Sequence, residues 1–296
     1  MHAGRIVAID GLQRAPEQAT VSVFDRGFLY GDAVFEVFRT YGGKPFALDE
    51  HLARLRRSAE SVFIELPVDE ATLAAEVAVA LRAAGNEESY VRLVVTRGAG
   101  PLSLDPDTAT RPLRVLIVDP VVPPPRETYR RGIAVACVRA RRAADDTAAS
   151  GSKITNYLAN LLAVREAKRK GAQEALILGD QGQVVEGASS NLFIVLRGAL
   201  VTPPLSAGIL PGITRAHVLS AAASLGAPGE ERDVSLDDVY AADEVFITSS
   251  IRELLPVVKV DGRVVGDGLP GARARALHRR FRERVGVGDR PMPWDD

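Results

Sequence analysis

Residues 150–171 read SGSKITNYLANLLAVREAKRKG, and residues 174–196, close behind, read EALILGDQGQVVEGASSNLFIVL. The first stretch opens as a loop of small polar residues around Lys153. It then takes up a helical pattern over about Asn156 to Lys170, with Leu158, Leu161 and Leu162 at helical spacing and Gly171 where a helix closes. The second stretch is a run of short strands: Ala175 to Leu178 and Gln183 to Val185 flank the turn Gly179-Asp180-Gln181-Gly182, and Leu192 to Leu196 pairs with Ala199 to Thr202 across Arg197-Gly198. Helix followed by hairpins predicts an α+β arrangement, and two groups stand out on it. Lys153 lies directly ahead of the helix. Glu186 ends an apolar strand and precedes Gly187-Ala188-Ser189-Ser190, four small residues that leave room and hydroxyls for a ligand.

Downstream, Pro211 and Gly212 precede a helix over about Ile213 to Leu225, whose first amides suit an anion. Thr248-Ser249-Ser250 adds hydroxyls after a strand over Glu244 to Thr248; a strand over Pro256 to Val260 and a helix from about Gly271 to Val285 complete this half. Upstream, strands are expected over Ile6 to Ile9, Thr20 to Phe24 and Val34 to Thr40, with turns at Asp10-Gly11 and Gly42-Gly43. A helix capped by Asp49 follows, with Leu52, Leu55, Ala59 and Val62 on its apolar face and His51, Arg54 and Ser58 beside them. A second helix runs from about Asp69 to Ala84, and strands Ser89 to Thr96 and Leu113 to Val118 flank a Gly/Pro-rich loop over Arg97 to Pro112. Val121-Val122-Pro123-Pro124-Pro125 is stiff and extended. The expected organisation is therefore a domain over 1–120, a linker over 121–127 and a domain over 128–296.

Composition narrows the function. The 296 residues are 46% hydrophobic and 25% charged, with 37 Lys plus Arg against 38 Asp plus Glu, so the chain lacks the positive field that nucleic acid or an anionic membrane requires. No apolar run reaches the length that crosses a bilayer, and the N-terminus lacks a signal core. One cysteine, Cys137, and four scattered histidines offer no metal-ligand spacing, so no metal is expected and a reducing, cytoplasmic setting fits. Only five of the 37 basic residues are lysines, and Lys153 is one of them. A primary amine can titrate and attack a carbonyl where a guanidinium cannot.

Taken in order, these blocks resemble the class IV aminotransferases, pyridoxal 5'-phosphate enzymes of fold type IV. The resemblance rests on Tyr30-Gly31-Asp32-Ala33-Val34-Phe35-Glu36 with Leu48 to Leu55, on Lys153 to Tyr157 with Glu186 to Phe193, and on Gly212 to Arg215 with Thr248 to Pro256; it spans about Arg5 to Lys259. It implies a small N-terminal α/β domain, a larger C-terminal domain with a β-barrel-like sheet, and an active site between domains that borrows a loop, here Gly100 to Pro106, from a second subunit of a homodimer or higher homo-oligomer. By the same resemblance Lys153 is the catalytic lysine, carrying the cofactor as a Schiff base and then moving the proton at the substrate Cα. Glu186 faces the pyridine nitrogen, Tyr157 bonds the ring hydroxyl, and Arg54, the amides of Ile213 and Thr214 and the Ser250 hydroxyl hold the phosphate. Asn191 acquires no role.

The resemblance also bears on the substrate. Tyr90-Val91-Arg92 is similar to the Tyr-x-Arg triplet of branched-chain aminotransferases, and Tyr30, Phe35, Arg39 and Ile251 match other substrate-binding positions there. This implies transamination between an L-branched-chain amino acid and 2-oxoglutarate. Val37 and Leu93 depart from the branched-chain pattern, whereas Val94 to Gly98 leans toward D-amino-acid aminotransferases. A D-amino acid or (R)-amine aminotransferase is therefore the alternative, followed by an aminodeoxychorismate lyase and by a non-catalytic vitamin B6-binding protein. Arg252 stands where many branched-chain enzymes have a small residue, and it is expected either to reach a substrate carboxylate or to point outward.

Overall fold

The computed structural model describes residues 4–109, 111–140 and 147–295. Contacts divide the chain into two compact units, Met1–Val122 with Asp146–Asn156, and Pro123–Asp145 with Tyr157–Asp296. The division at Val122 and Pro123 lies in the proline run, which lacks the N–H groups to continue a sheet. The expected linker is shorter than 121–127, because a helix already starts at Arg126. The segment 146–156, expected in the second domain, belongs with the first, since Ile154 bridges Val34 of a strand there. Part of the loop expected over 143–152 lies outside the described residues.

In the first unit the strands are β1 (Ile6–Ile9), β2 (Leu12–Arg14), β3 (Ala33–Tyr41), β4 (Lys44–Pro45), β5 (Ser89–Thr96) and β6 (Leu113–Pro120), and the helices α1 (Arg26–Tyr30), α2 (Leu48–Ser61) and α3 (Glu70–Ala84). The strands form one antiparallel sheet in the order β2-β1-β6-β5-β3-β4. Alternation along β3 and β5 sends Val34, Phe38, Val91, Leu93 and Val95 into a buried core with Leu52, Leu55, Leu73 and Val77 of α2 and α3. Phe38 is fully buried there, and truncating it to alanine is worth roughly 3–5 kcal/mol.

Two local expectations change and one holds. Asp69 caps α3 as expected, accepting from the Thr72 amide at 2.8 Å. Helix α2, however, starts one residue before Asp49, and its cap position is Ala47 in the left-handed region at φ 52°. Thr20 to Phe24 forms no strand: Ser22 and Asp25 take the amides of Phe24 and Gly27 on their side chains, and such local bonds compete with a ladder and turn the chain into α1.

The second unit holds β7 (Ile133–Arg139), β8 (Glu174–Leu178), β9 (Val184–Gly187), β10 (Asn191–Leu196), β11 (Ala199–Thr202), β12 (Glu230–Glu231), β13 (Glu244–Ser249), β14 (Glu253–Val260) and β15 (Arg263–Val264). They make a nine-stranded mixed sheet in the order β12-β11-β10-β13-β14-β7-β8-β9, with β15 on β14. Helices α4 (Arg126–Arg131), α5 (Leu158–Arg169), α6 (Ile213–Ser224), α7 (Leu236–Tyr240) and α8 (Ala272–Arg284) accompany it. Phe193 and Phe246, partners across β10 and β13, stack with ring centroids 5.0 Å apart. The face of α5 that packs on β7 and β8 is Ala163 and Ala167; Leu158, Leu161 and Leu162, whose spacing marks the helix in the sequence, are exposed. Cys137 on β7 is buried, and burial together with the Asp261 carboxylate pushes its thiol pKa up. Among the described residues no helix is long and apolar enough to cross a membrane, and no group of side chains could hold a metal ion.

Candidate active site

The first unit presents seven of the expected residues. Lys153 lies on a segment pinned to both β3 and α2: its carbonyl accepts from Phe35 N at 3.0 Å, and its own amide donates to Ser58 Oγ at 3.1 Å. Its Nζ stands 4.6 Å from the Phe35 ring centroid, and the Arg92 guanidinium stands 4.1 Å from the same ring. The register of β3 on β5 sets Arg39 opposite Tyr90, Val37 opposite Arg92 and Phe35 opposite Val94. Phe35, Arg39, Tyr90 and Arg92 therefore share the face of the sheet turned away from α2 and α3. Arg39 donates to its neighbour's carbonyl, Thr40 O, and lies 4.5 Å from the Tyr41 ring centroid. Tyr30, at the end of α1, lies under the Arg26 guanidinium at 5.1 Å, and Arg26 in turn donates to the carbonyls of Ser103 and Asp105.

On the opposite face, Glu36 is fully buried and accepts two bonds from Arg54, Nε to Oε1 and Nη2 to Oε2, each at 2.7 Å, and a third contact from His51 Nδ1 at 2.7 Å. Burial alone would raise the Glu36 pKa, but the Arg54 charge and these hydrogen bonds outweigh it and hold the carboxyl at about 2. Burial lowers the His51 pKa, and the neighbouring Arg54 and Lys153 charges add to that against Glu36. The imidazole is thus neutral and donates from Nδ1, the nitrogen that faces the carboxylate. The expected phosphate ligand Arg54 is therefore oriented by a carboxylate that sequence reasoning passed over. The spacing of His51, Arg54 and Ser58, three polar residues beside an apolar stripe, was the available signal, and all three are buried.

The second unit presents the other six. Glu186 on β9 is buried, and its Oε2 accepts from Leu210 N at 3.1 Å and from Asn191 Nδ2 at 3.3 Å. Asn191 also donates to Leu210 O at 3.0 Å and pairs across the sheet with Thr248, so it links the Glu186 carboxylate to the residues leading into α6. Gly212 caps α6 with no side chain over its first amides, those of Ile213 and Thr214, and a Cβ there would lie 1.9 Å from Asn191 Oδ1. Arg215 is spent on structure, donating to Pro203 O at 2.8 Å and to Glu231 at 2.6 Å. Tyr157 sits at the start of α5. Ser250 and Ile251 occupy the hairpin between β13 and β14, half-buried. Arg252 follows them and neither points outward nor lies open for a carboxylate: it donates to Ser249 Oγ, to Glu174 Oε2 at 2.5 Å and to the carbonyl and hydroxyl oxygens of Ser189.

These features suit a phosphorylated pyridine. The hydroxyls of Ser190 and Thr248 are buried with no hydrogen-bond partner among the described residues, the α6 amides carry no capping side chain, and Glu186 is a fixed carboxylate among them. Residues 33–260 match the family profile of amino-transferase class IV.

The chain is a class IV aminotransferase.

Enzymes of this class use pyridoxal 5'-phosphate, and this aminotransferase does so. It is 41% identical to a putative branched-chain-amino-acid aminotransferase of Methanocaldococcus jannaschii over 90% of this chain and 92% of that one. It is 34% identical to a D-alanine aminotransferase of Bacillus licheniformis, again over 90% of this chain and 92% of that one. The crystal structure of the Escherichia coli branched-chain amino acid aminotransferase superimposes with a TM-score of 0.91 at 30% identity, covering 98% of this chain and 97% of that one. The fold of this aminotransferase is thus the two-part mixed helix-and-sheet fold of those enzymes.

Proposed function

We propose that this aminotransferase moves the amino group between an L-branched-chain amino acid and 2-oxoglutarate. The observation that carries the reading is the shared sheet face of Phe35, Arg39, Tyr90 and Arg92. Aromatic rings there suit an aliphatic side chain, and the two guanidiniums suit the second carboxylate of 2-oxoglutarate. Arg252 is engaged with Glu174 and Ser189, so the cations proposed for that task are Arg92 and Arg39. Tyr30 and Ile251 complete the substrate-binding set.

Bound pyridoxal phosphate supplies an electron sink for the pair released at the substrate Cα. Lys153 holds the cofactor covalently and moves the proton at Cα; the backbone bonds to Phe35 and Ser58 fix where its side chain begins. Glu186, whose Oε2 accepts from Asn191 Nδ2 and Leu210 N, keeps the pyridine nitrogen protonated. Tyr157 bonds the ring hydroxyl. Arg54, the amides of Ile213 and Thr214 and the Ser250 hydroxyl hold the phosphate.

The enzyme works as a homodimer at least. Its exposed apolar residues support this: Phe24, Phe28, Leu102 and Leu104 in one unit and Leu158, Leu161 and Leu162 in the other. Its single thiol suits the cytoplasm.

The second reading, a D-amino acid aminotransferase, is favoured by the likeness to the Bacillus enzyme. Mixing the purified protein with L-leucine and, separately, with D-alanine decides between them. Loss of the visible band of the bound cofactor with L-leucine alone supports the first reading, and loss with D-alanine alone overturns it in favour of the second.

A further inference from the structure

The hairpin between β13 and β14 is a three-residue loop, Ser250-Ile251-Arg252, closed by the pair Ser249 and Glu253. Glu253 lies in the left-handed region at φ 54°, the conformation that ends such loops and usually calls for glycine. It is held there from behind. Its buried carboxylate meets His278 Nε2 at 2.6 Å, and Tyr129 Oη donates to the Arg252 carbonyl at 3.0 Å. The guanidinium of Arg252 acts sideways. Nε donates to Ser249 Oγ at 3.1 Å, Nη1 to Glu174 Oε2 at 2.5 Å, and Nη2 to Ser189 O at 3.0 Å and Ser189 Oγ at 2.8 Å. Glu174 is only 2% exposed; its other oxygen accepts from Ala175 N, and Ser189 Oγ donates to Oε2 at 3.0 Å.

Ser189 belongs to the turn between β9 and β10. That turn begins after Gly187, the residue next to Glu186, and leads into Asn191, and its Ala188 carbonyl accepts from Asn160 of α5 at 2.6 Å. One side chain therefore ties the loop that offers Ser250 to the turn that follows the pyridine-facing carboxylate. We infer that Arg252 is a positioning residue for the cofactor phosphate: seated on Glu174 and Ser189, it holds the Ser250–Ile251 loop at a fixed distance from the Glu186 turn. A planar fork with separate donors for a carboxylate, a carbonyl and two hydroxyls serves this better than a lysine, whose single ammonium cannot span the same partners. The inference rests on the proposed phosphate role of Ser250.

The test compares the affinities of the apoenzyme for pyridoxal 5'-phosphate and for pyridoxal, which lacks the phosphate, in the wild type and in Arg252→Met, Arg252→Lys, Glu174→Gln and Ser250→Ala, with the unfolding midpoint of each variant recorded. Arg252→Met is expected to lose at least tenfold in affinity for the phosphorylated form while its affinity for pyridoxal changes less than twofold. Glu174→Gln should show the same pattern more weakly, and Arg252→Lys should recover part of the loss. If Arg252→Met does not fold, Arg252→Lys and Glu174→Gln read the same difference. An equal loss for both ligands, or no loss in a folded variant while Ser250→Ala does lose phosphate affinity, overturns the inference alone and leaves a role in folding. No effect of Ser250→Ala overturns the phosphate-loop reading and this inference with it.

Discussion

Arg54 meets Glu36 fork to fork, with Nε on one carboxylate oxygen and Nη2 on the other at 2.7 Å each, and both side chains are buried. The geometry fixes the plane of the guanidinium before any anion arrives. Removing one partner of such a pair strands the other charge in a poorly solvated place, which is worse than removing both.

Glu36→Gln is therefore expected to lower stability by roughly 3–5 kcal/mol and to weaken cofactor retention at the same time. The measurement is a denaturant titration of the apoprotein beside a cofactor-affinity titration. Loss of stability with cofactor affinity intact would separate Glu36 from the phosphate role proposed for Arg54.

The pH dependence has a definite sign. The folded pKa of His51 lies below its ordinary value of 6.5, and that of Glu36, about 2, lies below its ordinary 4.5, so in both cases the unfolded chain binds more protons as acid is added. Their contributions are fully present above the ordinary values. The unfolding midpoint should fall as pH drops below about 6.5 through His51, and again between about 4.5 and about 2 through Glu36. Glu36→Gln should flatten the lower limb, and an unchanged lower limb would assign the acid sensitivity elsewhere.

Lys153→Ala should abolish covalent attachment of the cofactor. Borohydride reduction of the wild-type enzyme, followed by peptide mapping, should place the label on the peptide containing Lys153. A label on Lys168 or Lys170 would move the chemistry to the tail of α5.

Glu186→Gln should retain bound cofactor yet slow the half-reaction by orders of magnitude, because a neutral amide does not keep the pyridine nitrogen protonated. Asn191→Leu removes one of the two N–H donors to Glu186 Oε2, a bond to a charged group worth about 1.5–3 kcal/mol, and should slow the same step less severely. Stopped-flow traces with the amino donor read both effects. A rate in Glu186→Gln equal to the wild type would take Glu186 away from the pyridine.

The sequence made the long elements legible: β3, β5 and β6 are apolar runs bounded by turn residues, burial alternates along β5, and α3 carries its own cap in Asp69 and its own stop in Gly85. Helix α1 has five residues, too few for a period to show. The apolar residues of Thr20 to Phe24 look like a strand because local pattern carries no information on whether a partner strand is available. Helix α5 misleads in another way: its leucines mark the period but face outward, and small alanines make the close approach to the sheet. At the site, Lys153 and Glu186 could be found from their small-residue surroundings. The carboxylates that hold Arg54 and Arg252 could not, since Glu36 is 18 residues from Arg54 and Glu174 is 78 from Arg252, and such pairings exist only once the sheets have formed.

Cys137 turns the molecule into its own gauge of opening. It is the chain's single thiol, it is buried on β7, and its acidity is suppressed by burial and by Asp261, so a maleimide reaches a reactive thiolate only in molecules whose second sheet has come apart. The rate of labelling then counts those excursions without any engineered probe. Repeating the count with and without the cofactor would show how far the bound ligand quiets the sheet that holds Glu186 and Ser250.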